Sequence, residues 1–233
     1  MRRIIVLVIF WLFLIIAFIP VSLIGESKTH APIIVPPASV KKSEKIVLLE
    51  NHSSEYIYQN SSLEFLTFSH DVFSDIQGMR PFPWGGEVFE GEISFICGDY
   101  DSYDGRKSFI IKGNTSNSHG ALAVPDLPLK PKVKPGQLYF LGCWVKYHIE
   151  SGKGIRLTQQ FFLPEDKFYP TYSCFGKWKR GSSKNWVFLG LLVKAPQRAC
   201  RGDPVIELWG EGEIKIDKIY FGPVEIIDEG GAL

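Results

Sequence analysis

Three short stretches of this chain alternate apolar residues with side chains suited to holding a flat, hydroxyl-rich molecule. In LYFLGCWVKYH (138–148), Tyr139, Leu141, Cys143 and Val145 fall on one face of an extended strand, and Phe140, Gly142, Trp144 and Lys146 on the other. In GIRLTQQFF (154–162), Ile155, Leu157 and Phe161 alternate with Arg156, Thr158 and Gln160, and Gln159 interrupts the apolar row. In VIELWG (205–210), Ile206 and Leu208 alternate with Val205, Glu207 and Trp209. If the strands share a sheet, Trp144, Lys146, Arg156, Thr158, Gln160, Glu207 and Trp209 line one surface. A pyranose offers C–H patches that pack on an indole and a rim of hydroxyls that needs two-way hydrogen-bonding partners. Trp144 and Trp209 are the expected platform, with Arg156, Gln160 and Glu207 fixing orientation and Thr158 and Lys146 secondary. The competing reading has both rings covered by 164–185 or capping an outer face.

Trp178, in GKWKRGSSK, sits in a basic loop where an exposed ring would stack on sugar or meet a partner protein. Trp84 reads as packing at a sheet edge or bordering a loop-end site, and Trp186 as core. Catalysis finds little support. Glycoside hydrolysis needs two carboxylates facing one bond at about 5–9.5 Å, and only spacing nominates Glu90 with Glu92 or Glu207 with Glu211. The histidines His30, His52, His70, His119 and His148 form no metal motif, and no G-x-S-x-G elbow or phosphate-cradling loop occurs. The expectation is a protein that is not an enzyme and requires no cofactor, with room for an accessory role beside a carbohydrate-active enzyme.

Cys97, Cys143, Cys174 and Cys200 lack close C-x-x-C pairs. Their even number suggests disulfides in an exported domain, and Cys174 with Cys200, both in loop-like sequence, is the first choice, although the longer loop must fold back to close it. Cys143 falls on a core parity. Sequons begin at Asn51, Asn60 and Asn114, and Arg201-Gly202-Asp203 matches an adhesion tripeptide that chance also supplies.

The elements that must position these residues begin at the N-terminus. Ile4–Gly25 is uncharged and long enough to cross a hydrocarbon core of about 30 Å as a helix. Its match to a signal-peptidase site is poor, which favours an uncleaved anchor over a cleaved signal. Arg2 and Arg3 place the N-terminus in the cytoplasm and the body outside, as a single-pass membrane protein. The expected organisation is an anchor over 1–25, a proline-containing linker over 26–45, a β domain over 46–228 and a tail over 229–233. The net charge of +1 supplies no surplus for nucleic acid. Short strand patterns separated by GDYDSYDG, KGNTSNSHG, LPLKPKVKPG and QRACRGDP indicate an antiparallel sandwich. WVFLGLLVKAP (186–196), apolar on both faces, is expected to lie centrally.

PFPWGG (81–86), DGRKSFII (104–111), KPGQLYFLGCWVK (134–146), the Trp186 strand ending in Ala195-Pro196, and IKIDKIYF (214–221) resemble, in that order, carbohydrate-binding modules with the galactose-binding-like jelly-roll fold. QNSSLEFL (59–66) is similar to that family's opening strand. The resemblance implies an all-β antiparallel jelly-roll sandwich, here preceded by one N-terminal transmembrane helix, and a glycan or polysaccharide as partner. It also implies a structural calcium ion, with Glu64 and Asp217 at the matching positions. The fold also serves architectural roles, so a structural or protein-interaction domain with a partner in the cell envelope is the alternative.

Overall fold

The structure, a computed structural model, describes residues 44–48, 66–69, 78–81 and 83–228, with backbone alone for 44–48, 66–69, 78–80 and 227–228. The expected anchor over 1–25, most of the linker, Glu64 and the tail over 229–233 lie outside the described residues. Among the described residues no helix is long and apolar enough to cross a membrane.

The chain is all-β. Strands β1 (Glu44–Leu48), β2 (Leu66–Ser69), β3 (Gly78–Pro81), β4 (Gly85–Glu90), β5 (Ile93–Gly98), β6 (Ser108–Gly113) and β7 (His119–Ala123) lead to a 3-10 turn at Leu127–Leu129. β8 (Leu138–Phe162), β9 (Tyr172–Phe175), β10 (Gly181–Ser182), β11 (Val187–Lys194) and β12 (Arg201–Asp228) follow. The stretches read as separate strands over 138–148 and 154–162 are one strand, β8, and those over 205–210 and 214–221 are another, β12. These two run antiparallel from Arg201↔Phe162 to Pro223↔Tyr139, with register shifts at Trp209/Gly210 and Glu211/Gly212. Glycine makes the bend there. Gly154 (φ 109°) and Gly210 (φ 137°) adopt backbone that side chains avoid, and a Cβ would lie 2.0 Å from the Lys179 carbonyl oxygen or 1.9 Å from that of Ser151.

Either side of the bend the two strands acquire different neighbours. Residues 138–149 of β8 and 212–223 of β12 lie in the order β11–β8–β12–β6–β5, and residues 154–162 with 201–209 in the order β9–β8–β12–β7–β4. Inward side chains of both halves meet in one core: Leu141, Cys143, Val145, Ile214 and Ile216 from the first, and Ile155, Leu157, Phe161, Ile206 and Leu208 from the second. Two antiparallel layers therefore close on a single apolar interior, the arrangement of a β-sandwich. Gln159, the residue that interrupts the apolar row, is fully buried with its Oε1 unpaired.

Three expectations need correction. β11 is not central: among the described residues it pairs only with β8, and its outward Phe188 packs beside Trp144 and Phe140 at centroid distances of 5.5 and 6.0 Å instead of beneath another strand. Trp186 is half-buried outside the core, its indole N–H donating to Asp101 Oδ1 at 3.4 Å. The Cys174–Cys200 bridge is absent, and none of the four cysteines forms a disulfide. Cys174 sits on β9 opposite Gln159, whereas Cys200 precedes Arg201 on the far side of β8, opposite Phe162. Two strand spacings separate them, about 10 Å, beyond the roughly 7 Å that a disulfide spans between Cα atoms. Cys200 Sγ instead donates to the Phe162 carbonyl at 3.4 Å. Cys143 and Trp84 are wholly buried, as core parity and edge packing lead one to expect.

Candidate functional site

The outer face of the β9–β8–β12–β7–β4 layer carries most of the side chains that strand parity singles out. Directly opposed residues of an antiparallel pair point to the same side, so the pairs Gln160↔Asp203, Thr158↔Val205 and Arg156↔Glu207 share that face. β7 adds His119, opposite Trp209, and Ala121, opposite Glu207. Small residues Ala121, Ala123 and Val205 pack together in the middle.

At one end the carboxylate of Glu207 organises its surroundings. Arg156 grips it with two parallel bonds, Nε at 3.0 Å and Nη2 at 2.9 Å, and the hydroxyl of Thr158 donates to Oε1. His119 Nε2 lies 3.0 Å from Oε2. Burial pushes the Glu207 carboxyl up, but the bonds from His119, Arg156 and Thr158 outweigh it and hold the group below the ordinary glutamate range. The Arg156 guanidinium then lies 4.3 Å from the ring centres of both Phe175 and Trp178. His119 stacks on Trp209 at 4.3 Å, and Lys153 Nζ lies 3.1 Å over the same ring. Two groups at these distances occupy opposite faces of the indole. Trp209 is therefore a fixed wall of the site, and Trp178 meets it edge-on at 6.2 Å.

At the other end an open cleft of ≈ 710 Å³ is lined by Glu87, Phe89, Gln160, Phe162, Phe168 and Tyr169. Its floor is stiffened by Lys130, which donates to Asp203 and to the Val124 carbonyl and sits 5.1 Å over the Phe162 ring. Phe89 links the two ends, tilting against His119 at 4.7 Å while half of its surface stays open. Phe168 and Tyr169 are 79% and 84% exposed, so their rings stand free at the cleft's margin. Gln160, also in the lining, supplies both a planar donor and a planar acceptor. Chemically the cleft can pack rings against C–H surfaces and bond hydroxyls from a rigid base.

Arg156, Thr158, Glu207, Trp209 and Trp178 are thus brought together, and Gln160 lines the adjoining cleft. Trp144 is not part of it. It lies on the outer face of the other layer, stacked by Tyr103 at 3.9 Å and 11°, beside Lys146, which pairs with Asp101 at 2.7 Å. Phe89, His119, Phe168 and Tyr169 were not singled out by parity. The only sequence signal for the last two was a pair of adjacent aromatics in a proline-bounded loop, FYP at 168–170.

Asp217, a position matched to calcium by resemblance, does not fit a cation ligand. Its buried carboxylate accepts backbone N–H groups from Tyr103 (2.7 Å), Asp104 (2.9 Å) and Lys218 (2.6 Å), the surroundings of a satisfied anion that pins a loop. The acidic turn is also engaged by cations, Asp99 with Arg106 and Lys107, Asp101 with Lys146, and Asp104 with Lys218.

No family model matches the chain, and no curated protein matches it. Among solved structures it is similar to the enzymatically active domain of tailspike protein 4 from bacteriophage CBA120, at 16% identity and a TM-score of 0.47 over 61% of this chain and 19% of that one. It is similar also to a family 22 xylan-binding domain from Paenibacillus barcinonensis, at 14% identity and a TM-score of 0.40 over 61% of this chain and 86% of that one. A third likeness is the C-terminal family 22 carbohydrate-binding module of a Clostridium thermocellum protein, at 13% identity and a TM-score of 0.40 over 74% of this chain and 97% of that one. At these identities and scores the likeness assigns no ligand to this chain.

Proposed function

We propose that this protein is a non-catalytic carbohydrate-binding domain of the jelly-roll type, tethered to a membrane by its N-terminal apolar run and presented outside the cytoplasm. The observation that carries the reading is the open cleft lined by Gln160 and the exposed rings of Phe89, Phe168 and Tyr169, with a base locked by the Lys130–Asp203 pair. Exposed rings above a rigid floor are what a flat sugar face requires. Glu207 serves as an internal tie: with Arg156, Thr158 and His119 on it, it orients Arg156 and the Trp209–Trp178 wall.

The test is affinity electrophoresis of the full chain, in nonionic detergent, through gels containing soluble xylan, galactan or polyuronate. Retardation by at least one polysaccharide is expected, and Tyr169→Ala or Phe168→Ala should weaken it by about 2 kcal/mol while leaving the unfolding transition in place. Absence of retardation by every polysaccharide would sink the reading.

A second reading, a protein-interaction domain, draws on the outer face of the other layer. There Phe188 is 42% exposed beside Phe140, Trp144 and Tyr220. That apolar patch suits a protein surface better than a sugar.

A further inference from the structure

On the side of β8 away from β12, the sandwich is edged by two strands that do not bond each other. β9 pairs with residues 158–161 of β8 and β11 with residues 138–145, and among the described residues neither has a strand on its other side. Between them lies a crevice of ≈ 390 Å³ that shares no lining residue with the cleft of the glycan site. Leu157 and Cys174 line it from one layer, and Leu189, Leu191 and Val193 from the other. All five are members of the apolar core. The crevice is therefore an opening onto the interior. Its β11 wall runs from Phe188 to Val193, about 17 Å of extended strand.

The charged residues in this lining are two lysines, Lys177 and Lys179, and no carboxylate stands among them. Lys179 exchanges backbone bonds with Ile155 at 2.8 and 2.9 Å and lies directly opposite it, so its side chain leaves the backbone on the interior side, as that of Ile155 does. Gly176 N–H donates to the Leu157 carbonyl at 2.8 Å, which leaves Lys177 and Trp178 together against Arg156, two residues against one. Trp178 meets the Arg156 guanidinium at 4.3 Å, whereas Lys177 joins Lys179 in the crevice. Both lysines are exposed, and among the described residues neither pairs with a carboxylate. A lysine stem lies along apolar surface while its ammonium stays in water, so two positive heads stand at the mouth of an apolar slot.

We propose that this crevice is a second binding site, for a single-chain amphiphilic carboxylate of the fatty-acid class. The aliphatic chain lies along β11 against Leu189, Leu191 and Val193, and the carboxylate meets Lys177 and Lys179. The inference goes beyond the carbohydrate reading and uses none of the glycan site's residues. A slot of this volume drawn out along six strand residues holds one extended chain, not the two of a diacyl lipid. Sugar hydroxyls would face core side chains that offer them no hydrogen bonds, and a neutral hydrocarbon would gain nothing from the lysines.

The experiment is photolabelling of the full chain, held in a sterol-based detergent that lacks an alkyl tail, with diazirine-bearing dodecanoate and with the matching dodecanol. Peptide mapping should find the acid attached within 174–193, at about three- to tenfold the yield of the alcohol, the range that two exposed ion pairs supply. Unlabelled dodecanoate should suppress this labelling, and butyrate should not, because its chain is too short to fill the slot. Bound dodecanoate should also slow the alkylation of Cys174 and leave Cys200 unaffected. Lys177→Gln with Lys179→Gln should erase the advantage of the acid while labelling by the alcohol and the unfolding transition stay unchanged. Equal labelling by acid and alcohol, unaltered by the double substitution, overturns the carboxylate assignment. Labelling confined to residues outside 174–193, or suppressed as well by butyrate, overturns the site. Retardation by polysaccharides is read separately, so the carbohydrate reading stands or falls on its own.

Discussion

Glu207 illustrates how one buried charge organises a surface. A carboxylate only 4% exposed remains ionised because three side chains from β7 and β8 donate to it, and Arg156 does so through two bonds. Glu207→Ala should cost about 3–5 kcal/mol, since it leaves the Arg156 guanidinium without its counter-charge, and urea unfolding at neutral pH reads the loss directly. The pH dependence has a fixed sign. A carboxyl held below its ordinary range contributes stability that is present above the unfolded value and disappears as pH falls through the lower folded one. Glu207→Gln should therefore flatten the acid limb of the stability curve, and an unchanged limb would show that the carboxylate gains nothing from its partners. The cysteines yield a second residue-scale expectation. Cys143 and Cys174 are buried and burial pushes both thiols up, so few thiolates form, whereas Cys97 and Cys200 are half-buried. Brief alkylation of the native protein should label Cys97 and Cys200 first, and non-reducing peptide maps should show no Cys174–Cys200 link. Recovery of that linked peptide would contradict the strand arrangement around β8.

At the scale of elements, the decisive feature is the bend shared by β8 and β12. Alternating apolar residues specify which side of each strand turns inward, but they carry no information about where a long strand passes from one layer to the other. That is decided by glycines whose backbones approach closely. Gly210→Ala combines positive φ with a Cβ 1.9 Å from a carbonyl oxygen and should destabilise by more than the roughly 1–3 kcal/mol that backbone strain alone costs. Gly181→Ala, also at positive φ (84°) but with nothing within 4 Å, should show only the strain component. Thermal melts of the two variants separate close approach from conformation, and equal losses would mean that the bend tolerates a side chain. β11 offers a related lesson. Apolar residues on both its faces suggest a central strand, yet one of those faces is satisfied by the Phe188–Trp144–Phe140 cluster with no neighbouring strand required.

At the scale of the whole molecule, the body and the membrane are separate physical problems. The core joins both layers through Leu141, Ile155, Leu157, Ile206 and Ile214. Leu157→Ala should accordingly cost about 2–5 kcal/mol with or without ligand. The apolar run behind Arg2 and Arg3 leads to a different expectation, tested in cells: the chain should stay in the membrane fraction after alkaline extraction, and protease added outside should reach its body. A mature protein starting near Glu26 would defeat the anchor.

Parity along the strands was enough to assign Cys143, Leu157 and Ile206 to the interior and to put Arg156, Thr158 and Glu207 on a common outer face, because side chains alternate with a period of two in any extended strand. The same rule put Trp144 and Trp209 on one surface, and here local pattern was insufficient. Both rings do point outward, but the bend between them carries Trp144 into one layer and Trp209 into the other, so they face different solvent. His119, Phe89, Phe168 and Tyr169 join the site from β7, β4 and a loop, at sequence distances no periodicity spans. Burial alternation is a local property of the chain; coincidence of distant side chains, and the charge balance of the surface they form, is created only when the layers close.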